Sequence, residues 1–189
     1  MRTPLVVSWP KSIAAGRRDE LVYTIDVYKT MLDYAGVSAP STARGASLRP
    51  SLEGTAHTLR AALYGAGYTF LEQGRAPRPE TSVYALYART PRWKFVHYLK
   101  EIGPAAFPFA HEFAPFPAAA RGSTVLFDLE QDPYEQHDLS ADPTHAALLA
   151  ELEAGALVWW REAGGEELDL GAETGDTQGR KNRKRKQDR

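Results

Sequence analysis

The chain has 189 residues, 43% hydrophobic and 25% charged, the proportions of an ordinary soluble globular protein. It contains no cysteine, which excludes disulfides, thiolate metal sites and a cysteine nucleophile. Its formal net charge of −1 points to no polyanionic partner, although seven Lys or Arg and one Asp gather in the last ten residues.

Met1 to Pro10 lacks the long apolar stretch and small-residue cleavage site of a secretory signal. Nowhere does the chain approach the roughly 20 apolar residues that span a bilayer. As written, the expectation is a soluble protein that stays in the cytoplasm, with no membrane partner. Leu5-Val6-Val7, stopped by Pro10, suits a buried strand over Leu5 to Trp9. Such a strand needs a neighbour on each side, so the sequence is expected to begin inside a larger fold.

Asp19 to Ala35 has the spacing of an amphipathic helix, with Leu21, Ile25, Tyr28, Leu32 and Ala35 on one stripe. Asp19 and Glu20 would sit at the positive end of its dipole, and Gly36 would terminate it in a left-handed conformation. Ser38 to Gly54 reads as a loop, with a domain boundary near residue 55. Beyond it, Ala61 to Leu71, Ser82 to Arg89, Lys94 to Leu99 and Ser123 to Leu129 alternate like strands between Pro and Gly punctuation, which predicts a small antiparallel sheet. Phe107 to Pro117 is an aromatic, Pro-rich loop holding His111, expected to cover that sheet. Asp142 caps a last helix with Pro143 in its first turn, and Leu148, Leu149, Leu152, Ala156, Trp159 and Trp160 form its apolar face. Gly164-Gly165 ends it. Residues 171–189 are polar and aperiodic, and read as a disordered tail.

Leu126-Phe127-Asp128-Leu129-Glu130-Gln131-Asp132-Pro133-Tyr134-Glu135-Gln136-His137-Asp138-Leu139 is the most informative stretch: a strand, a tight acidic turn and a second apolar anchor. It resembles the signature near the carboxyl end of sulfatases. Four more segments are similar to that family, in family order. They are Arg2 to Pro10, Ile25 to Val37, Gly45 to Gly54 and Arg89-Thr90-Pro91-Arg92-Trp93-Lys94-Phe95. Lys29 and Lys11 depart from the family pattern, where Pro and Gly usually stand. The resemblance covers residues 2–160 and implies an α/β fragment. Residues 1–55 would be the last strand and helix of a sulfatase catalytic domain. Residues 56–170 would be its carboxyl-terminal subdomain, a small antiparallel sheet packed against a helix.

The resemblance also implies a parent of arylsulfatase or heparan-sulfamidase type. Such a parent hydrolyses sulfuric esters or sulfamates on a sulfated small molecule or glycan, using a formylglycine and calcium. The formylglycine arises from Cys or Ser within Cys/Ser-x-Pro-x-Arg. Ser8-Trp9-Pro10 and Ser38-Ala39-Pro40 lack the Arg, and the family's metal-binding Asp residues have no counterpart. No catalytic, metal or substrate-binding residue is therefore assigned, and the chain alone is expected to be inactive. Its expected partner is the missing amino-terminal catalytic half, or a second copy in a homo-oligomer. The alternatives are a stand-alone binding module and a fragment of a related phosphonate or phosphate monoester hydrolase.

Asp128, Asp132 and Glu135 lack the spacing of an EF-hand loop, so a turn is expected in which Asp132 accepts backbone donors. His57, His97, His111, His137 and His145 show no metal-ligand spacing and no carboxylate partner, apart from a surface pair of His137 with Asp138. His111 is the one histidine with a functional reading. Residues Arg180 to Arg189 read as a solvated basic stretch, with no nucleic acid expected.

Overall fold

The computed structural model describes residues 4–55, 58–68, 83–101 and 119–165, together with residues 168 and 170. Its elements follow one another as α1 (Asp26–Tyr34), α2 (Arg49–Leu52), β1 (Leu63–Tyr68), β2 (Val83–Arg89), β3 (Trp93–Tyr98), β4 (Thr124–Asp128), a 3₁₀ turn (Pro143–His145) and α3 (Ala146–Glu162). The four strands pair antiparallel in the order β1-β2-β3-β4. This is the sheet that the alternating runs predict, and α3 lies across one face of it.

Thr90 makes the β2–β3 hairpin. Its amide donates to the Trp93 carbonyl and its hydroxyl accepts from the Trp93 amide, so the side chain substitutes for a missing main-chain partner. Along β3 the burial alternates, and Phe95 and His97 point toward α3. Leu152, Ala156 and Trp160, spaced four apart on α3, are buried against them in two adjoining clusters. One cluster joins Val83, Leu86, Leu99, Ala156 and Trp160; the other joins Ala88, Phe95, Leu126 and Leu152. Tyr64 bridges both. Each fully buried Leu or Phe contributes about 1.5–3 kcal/mol, so this layer is the chain's energetic centre.

Asp142 caps not α3 itself, which starts after His145 without a side-chain cap, but the 3₁₀ turn that leads into it. The Asp142 side chain accepts from the Thr144 amide, Pro143 opens the first turn, and Gly164 closes the helix at φ 83°. Gly36 likewise ends α1 in the left-handed region, at φ 67°.

Three expectations are corrected. Leu5 to Trp9 forms no strand: the segment has no regular secondary structure and pairs with no strand of the described sheet. The helix expected from Asp19 begins only at Asp26, so Asp19 and Glu20 lie outside it. Arg17 pairs with Asp19, and the Ser51 hydroxyl donates to Glu20, which fixes this stretch as a loop. The Ser38–Gly54 loop contains a helical turn, α2, whose first turn holds Pro50.

The fourth correction concerns which way α1 faces. Its buried residues are Asp26 and Thr30, whereas Ile25, Tyr28 and Met31 are exposed. The apolar stripe does not turn toward this chain's own core. The cause is a set of polar anchors on the opposite side, described below.

Across the expected boundary near residue 55 the chain is stitched together. The Tyr23 hydroxyl accepts from the Tyr64 amide at 2.6 Å and donates to the Tyr64 carbonyl at 2.9 Å. One phenol thereby occupies both outward main-chain groups of a residue on the edge strand β1, as a neighbouring strand would.

Candidate functional site

Two polar constellations stand out, each centred on aspartates of the sequence signature segments. The first surrounds Asp26, which is 0% exposed. Its Oδ2 accepts from the Tyr23 amide at 2.7 Å and its Oδ1 from the Ala46 amide at 2.8 Å. Arg60 closes on both oxygens, at 2.6 and 2.9 Å, and also donates to the Leu21 carbonyl. The guanidinium lies 4.8 Å from the Tyr23 ring centroid, so it is stacked as well as paired. Gly45 makes this approach possible. Its φ is +89°, and a Cβ there would meet Asp26 Oδ1 at 2.9 Å. Burial pushes the Asp26 pKa up, but the bonds from Arg60, Ala46 and Tyr23 outweigh it and hold the carboxyl below its ordinary value. Thr30 continues the network: its hydroxyl donates to the Asp26 carbonyl and accepts from the Leu48 amide. Asp26 and Thr30, the buried polar groups of α1, are thus held by the chain's own backbone and Arg60.

The second constellation is the acidic turn, in which each aspartate closes a piece of main chain. Asp128 is buried at the end of β4 and accepts from Arg92 Nε at 3.0 Å and Nη2 at 2.6 Å. It also accepts from the amides of Glu130 and Gln131. The Arg92 bond and these amides hold its carboxyl below the ordinary range. Arg92 stacks on Trp93, 4.6 Å from the ring centroid. Asp132 accepts from the amides of Gln136 and His137 at 2.6 and 2.7 Å, the backbone-closing role expected of it. Between them, Glu135 is held at φ 59°, a left-handed conformation uncommon for a non-glycine residue, and its carboxylate pairs with Lys94 on β3. Asp138 then reaches back to β4: it accepts from the Leu126 amide at 2.9 Å, while the Leu139 amide donates to the Leu126 carbonyl at 2.8 Å. The outward main-chain groups of Leu126 are occupied as those of Tyr64 are on the opposite edge.

His137 pairs with Asp132, with Nδ1 3.5 Å from Oδ2, rather than with Asp138. Asp138 is already engaged by Leu126 and Ser140. The expectation that no histidine has a carboxylate partner also fails at His97. Buried under α3, its Nδ1 lies 2.9 Å from Glu153 Oε1, near enough for an ion pair but outside hydrogen-bond geometry. Its Nε2 lies 3.2 Å from the Leu170 carbonyl. Sequence spacing had no means of revealing this contact, because it joins a strand to a helix more than fifty positions away. His145 packs its ring against Trp93 at 5.1 Å. His57, the aromatic loop with His111, and the basic carboxyl-terminal stretch lie outside the described residues.

A family model described as N-sulphoglucosamine sulphohydrolase, C-terminal, matches residues 1–107, more than half of the chain. The chain belongs to the sulfatase family. Among its relatives, this sulfatase chain is 29% identical over 153 residues to an N-acetylglucosamine-6-O-sulfatase of Bacteroides thetaiotaomicron, covering 80% of the chain and 23% of that protein. It is 30% identical over 144 residues to arylsulfatase A of Bos taurus, covering 74% of the chain and 26% of the relative. Two solved structures show the fold. One is a complex with its substrate D-glucosamine-2-N,6-O-disulfate, with TM-score 0.51 and 23% identity over 74% of this chain and 24% of that one. The other is a 2-O GAG sulfatase, with TM-score 0.51 and 22% identity over 76% of this chain and 26% of that one. The sulfatase chain therefore spans about a quarter of the length of these relatives.

Sulfatase chemistry of the kind the family implies calls for a formylglycine and calcium. The residues described here do not fit either group. The chain has no Cys, and Ser12 and Thr42 stand where the Arg would follow its two Ser-x-Pro triplets. Among the described residues no three His, Asp or Glu side chains converge as metal ligands. The acids of the turn after β4, Asp128, Asp132 and Asp138, already accept backbone amides. No catalytic step is derived through them. No helix among the described residues is long and apolar enough to cross a membrane.

Proposed function

We propose that this chain is the carboxyl-terminal portion of a sulfuric ester hydrolase of the sulfatase type, and that it supports a catalytic centre rather than containing one. The observation that carries the reading is the fate of its acidic signature. Asp128, Asp132 and Asp138 of that stretch each accept backbone amides that close the β4 edge or the turn after it, while the family model that matches is the carboxyl-terminal one. On this reading residues 1–55 complete the catalytic α/β layer and residues 56–170 form the subdomain that carries the small sheet. The substrate of the complete enzyme would be a sulfated sugar, as it is for the N-acetylglucosamine-6-O-sulfatase and the D-glucosamine-2-N,6-O-disulfate complex.

The test is an assay of the purified 189-residue chain with an aryl sulfate and calcium. It is expected to show no turnover above background. A chimera in which this chain replaces the matching carboxyl-terminal part of the Bacteroides N-acetylglucosamine-6-O-sulfatase is expected to hydrolyse the substrate. Turnover by the chain alone that survives repurification would refute the reading, as would a folded but inert chimera.

A further inference from the structure

His97 lies on β3 under α3, 5% exposed, with an oxygen on each side of its ring. Nδ1 is 2.9 Å from Glu153 Oε1 of α3 and has no hydrogen-bond partner. Nε2 is 3.2 Å from the carbonyl oxygen of Leu170, in the segment that follows α3. Leu168 and Leu170 pack there against the cluster of Val83, Leu86, Leu99, Ala156 and Trp160. The flanking strands bring no charge to the ring, because the register sets Leu86 of β2 and Thr124 of β4 beside His97. Tyr98, the next residue of β3, points to the opposite face of the sheet. Among the described residues, Glu153 is the charged side chain within ion-pair distance of the imidazole.

A carboxylate and a carbonyl only accept hydrogen bonds. A neutral imidazole carries one N–H and one bare lone pair, whereas the imidazolium donates from both nitrogens. The neutral ring therefore satisfies one neighbour and turns a lone pair on the other, in a buried site where an unmatched polar atom is costly. We propose that His97 is a proton-operated clamp, which ties Leu170 to the sheet when the ring is charged and releases it when the ring is neutral.

The release falls on Leu170 because Glu153 is the stronger acceptor. A hydrogen bond to an ionised oxygen is roughly twice as strong as one between neutral groups. The Glu153 side chain is 36% exposed, so it has room to align with the ring and to keep the single proton on Nδ1. Nε2 then presents its lone pair to the Leu170 oxygen, and the two repel. Leu170 withdraws, and Leu168 leaves the apolar cluster with it. The clamp takes up a proton as it closes, so acid closes it and rising pH opens it. It is built from this chain's own residues and holds whether or not a catalytic part is attached.

The test is methyl NMR of the full chain with labelled leucines, following the cross-peaks of Leu168 and Leu170 to the cluster around Trp160. The titration runs from about pH 5.5 to about pH 8, on either side of the ordinary imidazole range. In the wild type these cross-peaks are expected to weaken about threefold or more as the pH rises. Those between Leu126 and Leu152, in the other cluster, should stay constant. Glu153→Gln distinguishes a clamp from mere packing. Its amide can donate to Nδ1, which leaves the proton of a neutral ring on Nε2 for Leu170. This variant is expected to remain closed across the whole range. His97→Gln, which does not titrate, is expected to lose the pH dependence altogether. Wild-type cross-peaks that stay constant or strengthen as the pH rises would overturn the proposal. So would a parallel loss of the Leu126–Leu152 cross-peaks, or a Glu153→Gln chain that opens as the wild type does.

Discussion

At the residue scale, the Asp26–Arg60 pair governs the junction between the amino-terminal segment and the sheet. Both oxygens of a fully buried carboxylate are matched by one guanidinium and two amides, so the desolvation of the charge is compensated. Removing Arg60 leaves that charge buried and unpaired. Arg60→Ala is expected to destabilise the chain by about 3 kcal/mol in urea unfolding, the cost typical of breaking a buried pair. The pH dependence follows from the sign of the shift. Because the folded carboxyl titrates below its ordinary value of 3.8, its contribution is complete above that pH and is lost as the pH falls through the lower folded value. Acid-unfolding curves of Asp26→Asn should therefore be flatter than wild type below about pH 4. Asp26 was visible in the sequence only as one letter of a family-like segment. Its partner Arg60, thirty-four positions on, carried no motif at all, and only the fold brings the two together.

At the element scale, both edges of the four-stranded sheet are closed by side-chain devices: Tyr23 on β1, and Asp138 with the Leu139 amide on β4. This explains why an acidic run follows β4. Asp138→Ala would strand the Leu126 amide without its acceptor, at about 2 kcal/mol by the usual penalty for an unmade buried hydrogen bond, read from chemical denaturation. The contact of α3 with β1 depends on Gly155. A Cβ there would lie 2.3 Å from the Tyr64 hydroxyl oxygen. Glycine to alanine inside a helix normally gains about 0.5–1 kcal/mol, so Gly155→Ala is a signed test. It is expected to lower rather than raise the melting temperature, because Tyr64 must move out of both core clusters to make room. The strands, the Asp142 cap and the apolar face of α3 were legible from alternation and spacing, since their partners lie within this chain. Leu5 to Trp9 and the stripe of α1 were read as buried by the same rules. Leu5 to Trp9, Ile25 and Tyr28 are exposed and Leu21 and Leu32 only half-buried, because periodicity tells which residues want cover and not where the cover comes from.

At the scale of the whole molecule, the same division holds. The described residues of the carboxyl-terminal two-thirds form the sheet, its packed helix and two buried clusters. The amino-terminal third is held in place by polar anchors and presents its apolar side outward. That asymmetry fits a chain that belongs to the sulfatase family and spans about a quarter of its relatives' length. Hydroxyl-radical footprinting of the purified chain, at a concentration where it is monomeric, reads this orientation side chain by side chain. The structure predicts rapid modification of Trp9, Tyr28 and Met31 alongside protection of Phe95 and Trp160. Protection of Tyr28 and Met31 in the monomer, equal to that of Phe95, would mean that α1 packs its apolar stripe on this chain's own core, and would contradict the account.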